Sequence, residues 1–290
     1  MPEDCDTGRY LDYSCVSEMP GIRVTREAVS MHLTRYAFAS GFCKGKDVLE
    51  LGCGAGMGLR YLTQYARRLV AGDYTRSMLQ VAKGVGNSLV PLIQLDAQKL
   101  PFREKSFDVV LLFEAIYYLP RPCEFLQECH RILREAGTVL ICSANKECPG
   151  FNASDLSHAY LSGAELRELM EENGFEAQIY GGFPVVAKTS ADKAKAFIRA
   201  IAAQLNLIPK TMRGKELLKR VFYGGLVELQ EGIEKHVAPY DPPVLLQSET
   251  SGASNYKVIY AVGRPGQVKE DGKLITPAGD QERVHAETHS

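Results

Sequence analysis

The run Val48-Leu49-Glu50-Leu51-Gly52-Cys53-Gly54-Ala55-Gly56 sets a carboxylate near the end of an apolar stretch and then a glycine at every second position. Those glycines remove side chains where a ligand must touch backbone, and a helix beginning just after them offers unpaired N–H groups. A loop of this kind at the carboxyl end of a strand is where open α/β sheets bind ligands. A dinucleotide fingerprint needs GxGxxG, but counting from Gly52 the sixth position is Met57, and from Gly54 it is Leu59. NAD is therefore disfavoured. Glu50 argues the same way, because a carboxylate beside the loop repels pyrophosphate and suits a ligand carrying an ammonium and a sulfonium. No Gly-Lys-Ser/Thr follows, which excludes a P-loop. Asp73 ends the next apolar run, where a carboxylate can accept bonds from both hydroxyls of a ribose. Asp96-Ala97 ends the third, placed to meet an adenine amino group.

These residues need a parallel sheet to hold them. From Asp47 to Ala144, β-branched or leucine-rich runs alternate with helical patterns, which predicts strands at 47–52, 69–73, 91–95, 107–113 and 138–143. Before the last of these, Phe125, Leu126, Cys129, Ile132, Leu133 and Ala136 recur at helical spacing, and Gly137 is expected to stop that helix. Ser162 and Glu165 form a capping box for a further helix, closed by Gly174. Two more strands are expected at 176–180 and 256–262, with an amphipathic helical insertion between them.

Charge and composition narrow the class. The formal net charge is -1 over 290 residues, too weak a field to announce nucleic acid or an anionic membrane as partner. The eight cysteines form no CxxC pair and the histidines no HExxH, so no metal site is expected. An acidic, polar start (MPEDCDTGRY) lacks the pattern of an export signal, and no apolar stretch reaches the roughly 20 residues of a membrane span. The expectation is a cytoplasmic protein.

The stretches ELGCGAG, GDYTRSML, LDAQKLPFREKSFDVVLLFEAIYYL and FLQECHRILREAGTVLI resemble the successive motifs of class I S-adenosylmethionine-dependent methyltransferases, in the type 11 or ubiquinone-methylase-like branch. The likeness is close over residues 45–145 and looser over the helix and strand that follow. It implies an α/β fold, a Rossmann-like, mostly parallel seven-stranded sheet with helices on both faces, and S-adenosyl-L-methionine as methyl donor with S-adenosyl-L-homocysteine as product. It further implies that Gly52, Cys53, Gly54 and Gly56 line the methionine part, that Glu50 supports their loop and that Asp73 holds the ribose. By the same resemblance Tyr74 and Met78 flank the adenine, Asp96 and Ala97 meet its edge, and Phe113 and Glu114 contact the methionine end. Residues 19–25 and the helix through Tyr36 resemble a lid, from which Arg23 would reach the methionine carboxylate; a solvated arginine beside a helix start is the alternative.

Methyl transfer from a sulfonium is an in-line displacement, so holding acceptor, methyl and sulfur collinear in a water-poor pocket supplies most of the acceleration. A base is needed only when the nucleophile must lose a proton. His158 is the expected proton acceptor, because a free imidazole titrates near neutrality, and Tyr118 beside Tyr117 could present a ring to the sulfonium. A surface histidine and a packed tyrosine pair are the alternatives.

The expected organisation is an N-terminal helical lid (1–44), a cofactor-binding core (45–182), a helical insertion (183–254), the last core strand (255–263) and a mobile tail (264–290). Residues 188–220 carry nine lysines and arginines against Asp192 and Glu216, which would favour an anionic acceptor or a solvated helical face. A small-molecule acceptor, such as a sugar or another metabolite of surface polysaccharide or secondary metabolism, is the favoured reading, with nucleic acid disfavoured and a homo-oligomer allowed. An RNA or protein methyltransferase, or a silent cofactor-binding module, are the competing ones.

Overall fold

The computed structural model describes residues 12–85, 89–185, 226–232, 239–247, 253–268 and 274–275. The basic stretch 188–220 and most of the expected tail lie outside the described residues. In chain order the elements are β1 (Arg23–Val24), α1 (Arg26–Cys43), β2 (Asp47–Leu51), α2 (Leu59–Leu62), β3 (Arg68–Asp73), α3 (Arg76–Gly84), β4 (Leu92–Gln94) and β5 (Phe107–Phe113). There follow α4 (Pro122–Ile132), β6 (Leu133–Ala144), α5 (Gly163–Glu172), β7 (Phe175–Pro184), β8 (Val227–Glu228), β9 (Val244–Leu245) and β10 (Tyr256–Pro265).

One eight-stranded sheet runs β4-β3-β2-β5-β6-β10-β7-β9. The first five strands pair in parallel. β10 lies antiparallel between β6 and β7, and β9 adds antiparallel to β7 at the edge. Side chains alternate between the two faces, as a strand's period of two requires. Leu49, Leu51, Val110, Leu112, Val139 and Ile141 meet Phe125 and Ile132 of α4 and Leu166 and Met170 of α5. Val48, Val109, Leu111, Phe113, Leu140 and Cys142 meet Tyr36 and Ala39 of α1, Leu59 and Leu62 of α2 and Leu79 of α3. Burial on both faces explains why these strands read as continuous apolar runs.

Two expectations need correction. The sheet has eight strands where seven were expected, because β9 contributes two residues, too few to leave a pattern. The helix expected to run to Gly137 ends at Ile132, and Leu133 already pairs with Phe107 of β5. Strand pairing there overrides the helical spacing of Leu133. In α1, Thr25 caps the helix through a bond from the Ala28 amide (3.0 Å), and Leu33, Tyr36, Ala39 and Cys43 are buried on the sheet.

Candidate functional site

The carboxyl ends of β2, β3, β4 and β5 open on one cavity of about 310 Å³. After β2 the chain turns through Gly52, Gly54 and Gly56 at φ 66°, 53° and 71°, left-handed backbone that a side chain resists. A Cβ at Gly52 would stand 3.0 Å from that of Ala115, whereas one at Gly54 would meet no protein atom within 4 Å. Gly54 therefore presents bare backbone to the cavity. Asp73, at the end of β3, anchors the loop: its Oδ2 accepts from the Gly54 amide and its Oδ1 from the Thr75 amide, both at 2.8 Å. Burial pushes its carboxyl up, and those same amides oppose the shift.

Glu50 lies beneath the loop, 1% exposed, with its Oε1 accepting from the Tyr36 hydroxyl at 2.7 Å. Burial raises its carboxyl to about 7, against the bond from Tyr36. Tyr36 is fixed in turn by an edge contact with Phe113 (5.2 Å between centroids) and by the missing side chain of Gly58, where a Cβ would fall 1.9 Å from its ring.

Glu114, immediately after β5, holds φ 50°, a conformation costing a residue with a side chain on the order of 1–3 kcal/mol. Its Oε2 accepts from the Tyr117 hydroxyl (3.0 Å) and the Ala144 amide (3.2 Å). Burial raises this carboxyl, and the Arg35 guanidinium opposes the rise. Arg35 is itself buried on α1 and donates to Glu18 Oε2 at 3.3 Å, which also lies 3.0 Å from His32 Nδ1.

Gly52, Gly54, Asp73, Tyr74, Asp96, Ala97 and Glu114 line the cavity together with Tyr118 and His158. The other expected residues do not. Arg23 sits on β1 opposite Glu228, away from the cavity lining. Cys53 and Met78 are buried, Phe113 faces Tyr36, Gly56 turns the chain toward α2, and Glu50 stands under the loop rather than on its surface. The tyrosine pair divides: Tyr117 is buried and bonds Glu114, while Tyr118 faces the cavity and donates to Ser154 Oγ at 3.1 Å.

His158 is carried by the loop after β6. Its amide donates to the Tyr117 carbonyl at 2.7 Å, and Tyr160 stacks on Tyr117 with centroids 4.1 Å apart. Phe151 meets the same Tyr160 ring at 4.7 Å. The loop is thus clamped against the turn that follows β5.

Sequence reasoning missed Tyr13 and Ser17, which reach the cavity from the N-terminal segment. Tyr13 lies 5.1 Å from the Tyr118 ring and 6.1 Å from that of Tyr74, and its amide meets Thr75 Oγ1 at 3.3 Å. Nothing in their local pattern marks them. Gln98 and Arg121 were also missed: Gln98 bonds Asp96 through its amide (2.8 Å) and accepts from the Arg121 amide (2.8 Å), closing the rim. Among the described residues no group of three or more His, Cys, Asp or Glu could hold a metal ion, and no helix is long and apolar enough to cross a membrane.

A family profile described as a methyltransferase domain matches residues 49–141, the segment carrying most of this lining. A probable S-adenosylmethionine-dependent methyltransferase of Mycolicibacterium smegmatis is 30% identical over 167 residues, 55% of this chain and 63% of that relative. Less than two thirds of that relative's length is therefore matched. The phthiotriol/phenolphthiotriol dimycocerosates methyltransferase of Mycobacterium tuberculosis is 31% identical over 198 residues, 61% of this chain and 68% of the relative. The chain belongs to the S-adenosylmethionine-dependent methyltransferases. A methyltransferase of this class from Thermotoga maritima shares the fold, with a TM-score of 0.53 at 16% identity over 82% of this chain and 92% of its own.

The cofactor of this methyltransferase family is S-adenosylmethionine, and the cavity has the chemistry to take it. Gly54 leaves open backbone, the lining carboxylates Asp73, Asp96 and Glu114 match a cation bearing hydroxyls, and Tyr74, Leu95 and Ala97 offer apolar surface for a purine.

Proposed function

We propose that this methyltransferase transfers a methyl group to a small-molecule acceptor by in-line displacement. The observation that carries the reading is the single cavity in which Gly52, Gly54, Asp73, Tyr74, Asp96, Ala97 and Glu114 stand with Tyr118 and His158. In this reading Asp73 holds the ribose hydroxyls, Asp96 and Ala97 the adenine edge, and Gly52, Gly54 and Glu114 the methionine end. Bound there, the cofactor supplies an electrophilic methyl group on a sulfonium. The protein aligns it, keeps water out with Tyr13 and Tyr118, and presents the acceptor from the side of Leu119, Pro120 and His158.

His158 takes the proton when the acceptor is a hydroxyl or an ammonium. Its loop is fixed by the Tyr117–Tyr160 stack, which supports such a role by limiting the ring's reach. The triol in the name of the Mycobacterium tuberculosis relative supports a hydroxyl nucleophile. The cavity lining carries three carboxylates (Asp73, Asp96 and Glu114) against Arg121, which disfavours an anionic reacting end, so any anionic part of the acceptor lies outward at the Arg121 rim. We further propose that residues 45–182 with strand 255–263 make up the catalytic core and that 183–254 is an addition to it.

The test is release of S-adenosylhomocysteine from S-adenosylmethionine across a panel of long-chain alcohols, phenols, sugars and amines. His158→Ala should lower kcat on a hydroxyl acceptor by about 10²–10⁴-fold, the usual contribution of a positioned base. An unchanged kcat would remove His158 from the chemistry. Turnover on no small acceptor, with turnover on RNA or protein, would overturn the acceptor class.

A further inference from the structure

We infer that Leu229, which reaches the glycine loop from within the 183–254 stretch, is a positioning residue that holds the loop in its ligand-ready shape. The inference rests on the reading of that loop as the cofactor seat. Leu229 follows β8, whose Val227 and Glu228 pair antiparallel with Val24 and Arg23 of β1. Its own backbone is fastened twice: the Leu229 amide donates to the Ile22 carbonyl and the Gly21 amide to the Leu229 carbonyl, both at 2.9 Å. Its side chain, 5% exposed, forms one apolar cluster with Ala55 and Met57, with Val24, Val29 and Val81 packed around it.

Ala55 and Met57 alternate with Gly54 and Gly56. Both are buried and neither lines the cavity, so the loop gives bare backbone to one side and two apolar side chains to the other. Glycine loses more freedom on ordering than any other residue, and a loop left to order itself at binding would spend affinity on that loss. Clamping Ala55 and Met57 beforehand removes the cost. Leu229 touches no part of the cavity and acts through these two residues. It lies outside the segment matched by the methyltransferase-domain profile, in the stretch proposed above as an addition to the core.

The experiment compares the full chain with Leu229→Ala and Leu229→Met by calorimetry with S-adenosylhomocysteine, amide hydrogen exchange and steady-state kinetics. Leu229→Ala should weaken binding about tenfold, a change of one decade in the dissociation constant. It should speed exchange at residues 53–58 while leaving β5 unchanged, and raise KM for the methyl donor with kcat at saturation altered by less than about twofold. Leu229→Met, which refills the space, should restore both readouts. Equal affinity and unchanged exchange in the loop would overturn the inference, as would faster exchange spread evenly over β2, β5 and the loop. If Leu229→Ala does not fold, Leu229→Val carries the same comparison. If the unaltered chain binds no S-adenosylhomocysteine, the functional reading fails while the exchange measurement still decides the role of Leu229.

Discussion

Asp73 and Glu50 are both buried acids within reach of the glycine loop, yet they answer to different tests. Asp73 faces the cavity, so Asp73→Ala should weaken S-adenosylhomocysteine binding by about 1.5–3 kcal/mol, the range for a hydrogen bond to a charged group, as read by calorimetry. Glu50 faces Tyr36, and its effect is on stability. Burial lifts its carboxyl from 4.5 to about 7, so between those values the folded chain keeps a proton that the unfolded chain has released. Its contribution is therefore fully present below 4.5, is lost as pH rises toward about 7, and is level above that. Glu50→Gln is neutral throughout, so its urea stability should fall less than that of the unaltered chain between about pH 4.5 and pH 7. The acids and glycines of the site were legible because they end strands in a fixed order along the chain. Tyr13, Ser17 and Arg121 were not, because only the folding of distant segments brings them to the cavity. Met78 and Phe113 belonged to the right elements, but a residue's place in a motif does not say which way its side chain turns.

α5 is the element whose boundary was plainest beforehand, and its start can be tested directly. Ser162 Oγ accepts from the Glu165 amide at 3.2 Å and the Glu165 side chain accepts from the Ser162 amide at 2.7 Å, the two reciprocal bonds of a capping box. Ser162→Ala should cost about 1 kcal/mol in urea unfolding, with no change in cofactor affinity, since the cap lies outside the cavity. Where a cap and an apolar stripe agree, local chemistry suffices to place a helix. The start of β6 shows the opposite case, since Leu133 continues the stripe of α4 and only pairing with Phe107 of β5 turns it into strand. The short β1–β8 ribbon and β9 were equally unreadable, being two residues each and defined wholly by their partners.

The whole molecule depends on a strand that arrives late. β10 is hydrogen-bonded to β6 along one side and to β7 along the other, burying Tyr260 and Ile259 on opposite faces of the sheet. A chain ending before Tyr256 should lose its cooperative thermal transition and its soluble yield, whereas substitutions at the edge strand β9 should cost little by the same measures. The parallel half of the sheet was legible from its regular alternation with helices, but the insertion of β10 between two earlier strands is a non-local pairing that no local pattern encodes. It also gives synthesis an exposed interval. Once Pro184 has been translated, β6 and β7 wait with raw edges until Pro265 follows, roughly 4–16 seconds at ordinary rates of elongation. Crowded polysomes and slow codons in that window would then decide how much of the nascent chain reaches its native state and how much is captured by its neighbours.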